Sequence, residues 1–233
     1  MLVDSGDTGL RVEELEPNLH RWLTPSPYWR EGDDGETGGW PREVGSLLYE
    51  RDGTAIVFDP QVAAHDPALW AFLDEHAGGA DRVVVALTAS WHLRDTVGLI
   101  ERYGGEIRLH REAAGETVMR GVDRVRPFDG DGEVEPGVEA FLVGGCINGE
   151  VAYWLPEHGA IVAGEVFHGR PDGLRIAPDP YLVSREELYA WIGALDRLPV
   201  TLVLPTHGPP AADGPDVIRR ALGRPPWQLP GSA

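Results

Sequence analysis

Residues Val83–Gly98 read VVVALTASWHLRDTVG. Val83–Leu87, within the run Arg82–Leu87, is continuously apolar and rich in β-branched residues, which predicts a strand buried on both faces. From about Trp91 to Tyr103, Leu93, Val97 and Ile100 fall on one helical stripe, and Gly104-Gly105 ends it. A buried strand running straight into a helix is a building unit of layered α/β folds. Their junction and the helix start hold Ser90–Thr96, SWHLRDT, with one histidine, one arginine and one aspartate.

Outward from this unit the pattern repeats. Asn18–Leu23 predicts a strand. Val44–Glu50 and Thr54–Asp59 predict a hairpin closed by Arg51-Asp52-Gly53. Pro67–His76 carries Leu69, Phe72 and Leu73 at helical spacing, and Ile107–His110 predicts a strand. In the second half Val138–Val143, Val151–Leu155, Ala160–Ala163 and Val200–Leu204 predict strands. Glu186–Leu198 predicts an amphipathic helix with Leu188, Trp191, Ile192, Leu195 and Leu198 on one face, and Asp213–Leu222 a last helix. Hairpins and strand–helix–strand units in both halves give two mixed sheets with helices outside, expected as a single domain over 1–233.

Composition narrows the function classes. Of 233 residues 42% are hydrophobic, enough for a full core. Net charge is 20 − 38 = −18, which repels phosphate backbones, so no nucleic-acid partner is expected. The basic residues are all arginine, so a lysine nucleophile or Schiff base is excluded. One cysteine, Cys146, allows no intrachain disulfide, which fits a cytoplasmic protein. No apolar run reaches the ~20 residues of a membrane helix, and the acidic start MLVDSGDTGLRVEEL lacks a signal pattern. No dinucleotide-binding glycine motif, P-loop or G-x-S-x-G elbow occurs.

Three stretches taken together resemble the metallo-β-lactamase superfamily: Val83–Gly98, then Ala160–Phe167 (AIVAGEVF), then Thr201–Pro210 (TLVLPTHGPP). The resemblance runs from about Asn18 to Leu222 and implies an αββα sandwich. Relatives carry H-x-H-x-D-H after the first strand and hold two zinc ions, which acidify a bound water to make hydroxide. Here the motif is broken in every register. Anchored on Gly98, Asp95 keeps the aspartate while Trp91, Leu93 and Thr96 replace the histidines. A one-residue slip keeps His92, with Ser90, Arg94 and Asp95 at the other places. Alignment on Thr88 keeps nothing.

Further along, VGGCING (Val143–Gly149) puts Cys146 where relatives have a ligand histidine. Glu165 stands for a bridging aspartate, and His207 in PTHGPP is the best-preserved landmark. The resemblance thus implies either no metal or one zinc, on Cys146, Glu165 and His207 with His92 or Asp95. Without metal, His92, Arg94 and Asp95 form a candidate acid–base group. Against that, Asp95 in a helix's first turn serves its dipole. Asp59 matches a family aspartate of supporting role. His20, His65, His76, His110, His158 and His168 fall in no motif, although His168 lies three residues after Glu165. Tyr28, Trp29 and Trp40, on the loop Ser26–Trp40, with Ser90 and Trp91, are candidate contacts for a small-molecule ligand; as clamps the aromatics would only hold that loop down. Three functions stay open: a ligand-binding or metal-independent variant, a mononuclear zinc hydrolase of a small ester, thioester or lactone, and a homo-oligomeric structural subunit.

Overall fold

A computed structural model describes residues 3–4, 11–26, 29, 41–62, 66–112, 114, 124–146, 149–212 and 216–226. The chain forms two compact units, Met1–Pro25 with Val44–Asp129, and Ser26–Glu43 with Gly130–Ala233.

The first unit is built on an eight-stranded sheet in chain order: β1 (Val3–Asp4), β2 (Arg11–Glu16), β3 (Leu19–Pro25), β4 (Glu43–Arg51), β5 (Thr54–Phe58), β6 (Arg82–Ala86), β7 (Glu106–His110) and β8 (Val125–Phe128). The β4–β5 hairpin closes through Asp52 and Gly53, both at positive φ (47° and 75°), the backbone that matches strand twist in a two-residue turn. Strands β5 to β8 are parallel, so each step needs a crossover. Helix α1 (Pro67–His76) supplies the first and α2 (Thr96–Tyr103) the second. Asp66 caps α1, its carboxylate accepting from the amides of Ala68 and Leu69, with Pro67 in the first turn. Leu69 and Leu73 of α1 and Leu99 of α2 pack with Val57, Val85, Ile107 and Trp22 in one core.

The expected helix Trp91–Tyr103 is broken in two. Ser90–Leu93 is a single 3₁₀ turn, and Arg94 follows at φ 36°, a left-handed value costly for a residue with a Cβ. His92 and Asp95 therefore do not share a helix face. The restart at Thr96 also rotates the stripe: Thr96, Leu99 and Ile100 are buried, while Val97 is 42% exposed.

The second unit holds a five-stranded sheet, β9 (Gly132–Glu135), β10 (Val138–Leu142), β11 (Val151–Leu155), β12 (Ala160–Val162) and β15 (Leu202–Leu204), in the order β15-β12-β11-β10-β9. Its pairs are antiparallel except β12 with β15. A hairpin of β13 (Phe167–Arg170) and β14 (Gly173–Ile176) stands apart in pairing. Helix α3 (Arg185–Ala194) is capped by the Ser184 hydroxyl, which accepts from the Glu187 amide, and it passes into a 3₁₀ turn, Leu195–Arg197. Leu188, Ile192 and Leu195 sit in the core with Val217 and Ile218 of α4 (Val217–Leu222), and Trp191 and Leu198 pack at its margin. Both large sheets are mixed, as expected. Among the described residues no helix is long and apolar enough to cross a membrane.

The Asp66 cap gives the simplest check on how α1 is held. Asp66→Ala should cost about 1 kcal/mol in urea unfolding with an unchanged m-value; a cost near zero would show that α1 does not depend on its cap.

Candidate functional site

In the first unit the strand-to-turn segment gathers Asp59, Thr88 and His92, all buried. Asp59 ends β5 in a left-handed conformation (φ 46°), which aspartate tolerates better than most residues. Its carboxylate accepts from the Thr88 amide (2.8 Å) and the Thr88 hydroxyl (2.6 Å). His92 Nδ1 lies 3.0 Å from Asp59 Oδ2 and 2.8 Å from Thr88 Oγ1. Because the hydroxyl donates to Asp59, its oxygen is an acceptor, and the shared proton belongs on His92 Nδ1. Burial alone would raise the Asp59 carboxyl. His92, Arg94 and Thr88 together outweigh it and hold that carboxyl below the ordinary carboxylate range.

Arg94 and Asp95 turn back onto the segment after β5. The Arg94 guanidinium donates to the Asp59 carbonyl (3.2 Å). Asp95 Oδ2 accepts from the Gln61 side-chain amide (2.9 Å) and the Val62 backbone amide (2.7 Å). The Asp95 amide in turn donates to the Pro60 carbonyl. Asp95 thus stands at the start of α2 but makes no side-chain cap bond there, and its charge is satisfied across the loop instead. Ser90 is fully buried and Trp91 half-buried, edge-on to His92.

In the second unit Glu165, His168 and His207 come together. Glu165 Oε1 lies 3.2 Å from His207 Nε2, and Oε2 lies 3.6 Å from His168 Nε2. The two rings stack 5.5 Å apart and 7° from parallel. Backbone geometry makes this stack feasible. His168 bridges His207 in parallel fashion, and the Gly169 amide donates to the His207 carbonyl. Gly208 has φ 78°, and a Cβ there would sit 1.8 Å from the Gly169 carbonyl oxygen. Burial drives the His168 imidazole down to about 3, against the opposing pull of Glu165, so the ring is neutral at neutral pH.

Cys146 is next to this group in chemistry. Burial, then Glu150, then Glu165 push its thiol far above the ordinary range. The Glu150 carboxylate also accepts from the Glu165 amide (2.7 Å). Burial and Glu165 likewise raise the Tyr181 phenol. A thiol so raised is a poor nucleophile, which argues against cysteine chemistry here.

Of the loop aromatics, Tyr28 and Trp40 lie outside the described residues, as does His65. Trp29 is half-buried with the Arg42 guanidinium 5.3 Å from its ring centroid. His168 belongs to no motif, and only its three-residue spacing from Glu165 marked it. His20 and His76 likewise gather at Glu50, three donors within 4.8 Å of one another, a grouping no local spacing reveals.

No family model and no curated protein matches the chain in sequence. Solved structures do match in fold. TMB-1 superposes with a TM-score of 0.71 at 14% identity, over 92% of this chain and 96% of that one. The DIM-1 metallo-β-lactamase superposes at 0.70 and 15%, over 92% and 95%. The mono-zinc form of FIM-1 from Pseudomonas aeruginosa superposes at 0.68 and 12%, over 93% and 95%. The fold is therefore that of the metallo-β-lactamases, the α/β sandwich expected from the three sequence landmarks.

A two-zinc centre does not fit the residues of the first motif. That stretch holds one histidine and one aspartate in place of three histidines and an aspartate, and its Arg94 brings a permanent cation to the Asp59 carbonyl.

Two outcomes check this geometry. Folding stability gained from a neutral buried His168 is present above the unfolded value of 6.5 and is lost as pH falls toward about 3. The stability difference between wild type and His168→Gln, from unfolding curves across that range, should shrink as pH falls; a difference independent of pH would refute the neutral ring. Gly208→Ala should cost about 2 kcal/mol or more in the same assay, and a neutral result would mean the close approach to Gly169 is dispensable.

Proposed function

We propose that this chain uses the metallo-β-lactamase fold as a ligand-binding or metal-independent variant, without the dinuclear zinc hydrolysis of relatives that hold the full motif. The observation that supports this most is Asp95. Its carboxylate, the one ligand that the Gly98-anchored motif retains, accepts from Gln61 and Val62 of its own chain. A metal on Oδ2 would have to displace two hydrogen bonds from a charged acceptor, each worth about 1.5–3 kcal/mol.

The Glu165–His207 pair is the polar group we assign to a small-molecule ligand. His207 is 7% exposed, against 4% for Glu165 and 1% for His168. A proton donated by the ligand can settle on Glu165 and be stabilised by the His207 imidazole, while neutral His168 fills the space behind without adding charge. The net charge of −18 speaks against nucleic acid, and we place the protein in the cytoplasm, where Cys146 stays a thiol.

A second reading is one zinc on Glu165 and His207 with Cys146, hydrolysing a small ester, thioester or lactone. The 3.2 Å between Glu165 Oε1 and His207 Nε2 favours it, since two ligands of tetrahedral zinc stand about 3.3 Å apart. Cys146 disfavours it, because among the described residues Cys146, Glu165 and His207 do not bring one ligand atom each to within 4.8 Å of one another.

Turnover of an aryl ester, an acyl thioester and a lactone, measured with chelator and again with added zinc, separates the two. We expect no zinc-dependent turnover. Activity that appears with zinc, vanishes with chelator and is lost in Glu165→Gln would overturn the proposal and establish the zinc hydrolase.

A further inference from the structure

The first unit gathers His20, Glu50 and His76 from three separate elements. His20 lies on β3, Glu50 near the end of β4, and His76 is the last residue of α1. The Glu50 amide donates to the Asn18 carbonyl (2.9 Å), which holds the end of β4 against the start of β3. His76 Nδ1 lies 2.8 Å and His20 Nε2 3.8 Å from the same oxygen, Glu50 Oε2, and the three donor atoms all lie within 4.8 Å of one another.

We propose that His20, Glu50 and His76 form a binding site for one divalent transition-metal ion, with zinc the expected occupant. Two imidazoles and one carboxylate suit zinc and its neighbours rather than magnesium or calcium, which take oxygen ligands. Ligand atoms on a tetrahedral zinc stand about 3.3 Å apart, so the 2.8 and 3.8 Å pairs need shifts of about half an ångström, and the two imidazoles, within 4.8 Å of each other, close by at most about 1.5 Å. A plain Glu50–His76 hydrogen bond would account for one imidazole at Oε2. It gives no reason for a second one turned toward the same atom.

The surroundings favour a cation. His76 ends α1, where helix carbonyls carry partial negative charge. Glu14 faces His20 across the β2–β3 pair and adds a second acidic group. Phe72 packs on both rings, centroids 5.4 Å from His20 and 4.5 Å from His76, and so fixes their orientation. The three side chains are 13%, 30% and 24% exposed, so an ion can enter from solvent and keep a water ligand. Bound there, it would tie β3, β4 and α1 together. This site lies wholly in the first unit and is independent of Glu165 and His207.

The test is calorimetric titration of chelator-stripped protein with zinc chloride, with magnesium chloride as control, on wild type and the variants His20→Ala, His76→Ala, Glu50→Gln and His207→Ala. Expected is one zinc per chain, weakened about tenfold or more in each of the first three variants, unchanged in His207→Ala, and accompanied by a higher Tm. No zinc binding, or binding lost only in His207→Ala, overturns the site. Should His76→Ala fail to fold, Glu50→Gln keeps the side chain's shape. The visible spectrum of the cobalt-loaded wild type then reports directly, tetrahedral bands supporting the site and octahedral ones overturning it.

Discussion

Carboxylates taken out of water must be neutralised, and in this chain the protein's own donors do it. Asp59 is held by Thr88 and His92, half-buried Asp95 by Gln61 and Val62, and Glu165 Oε1 by the His207 imidazole. An unpaired buried carboxylate would cost several kcal/mol. These contacts offset charge that would otherwise have to be met by solvent or a bound cation. The strained Arg94 backbone follows from the same requirement: it turns Asp95 back toward Pro60 and Val62 and sends the guanidinium to the Asp59 carbonyl.

The same bonds determine what chemistry is left. A histidine with Nδ1 fixed by a buried aspartate is oriented and set in one tautomer, which is equally the arrangement of a supported base and of a supported ligand. In the second unit the carboxylate–imidazole group is flanked by a thiol held protonated and by an imidazole held neutral.

Much of the fold was legible in the sequence because periodicity reports burial directly. The apolar run at Arg82–Leu87, the Asp52-Gly53 turn and the stripe Leu188, Ile192 and Leu195 all appear where expected. The break at Arg94 was not legible, since Leu93, Val97 and Ile100 imitate a continuous stripe and nothing local announces a left-handed arginine. Of the candidate group in the second unit, only His207 and Glu165 lie in motif-like stretches of the sequence. His168 reaches Glu165 through the β13 geometry, and His20, Glu50 and His76 meet through sheet pairing and a crossover helix. Contacts between residues distant in sequence leave no local pattern.

Where zinc goes when it is offered separates the self-satisfied carboxylates from a metal centre. Anomalous X-ray diffraction from crystals soaked in zinc chloride would locate it directly. We expect a peak at His20, Glu50 and His76 and none at Asp95, Glu165 or His207. Two peaks about 3.5–4 Å apart, the spacing of a two-metal centre, with Asp95 and Glu165 among their ligands, would contradict it.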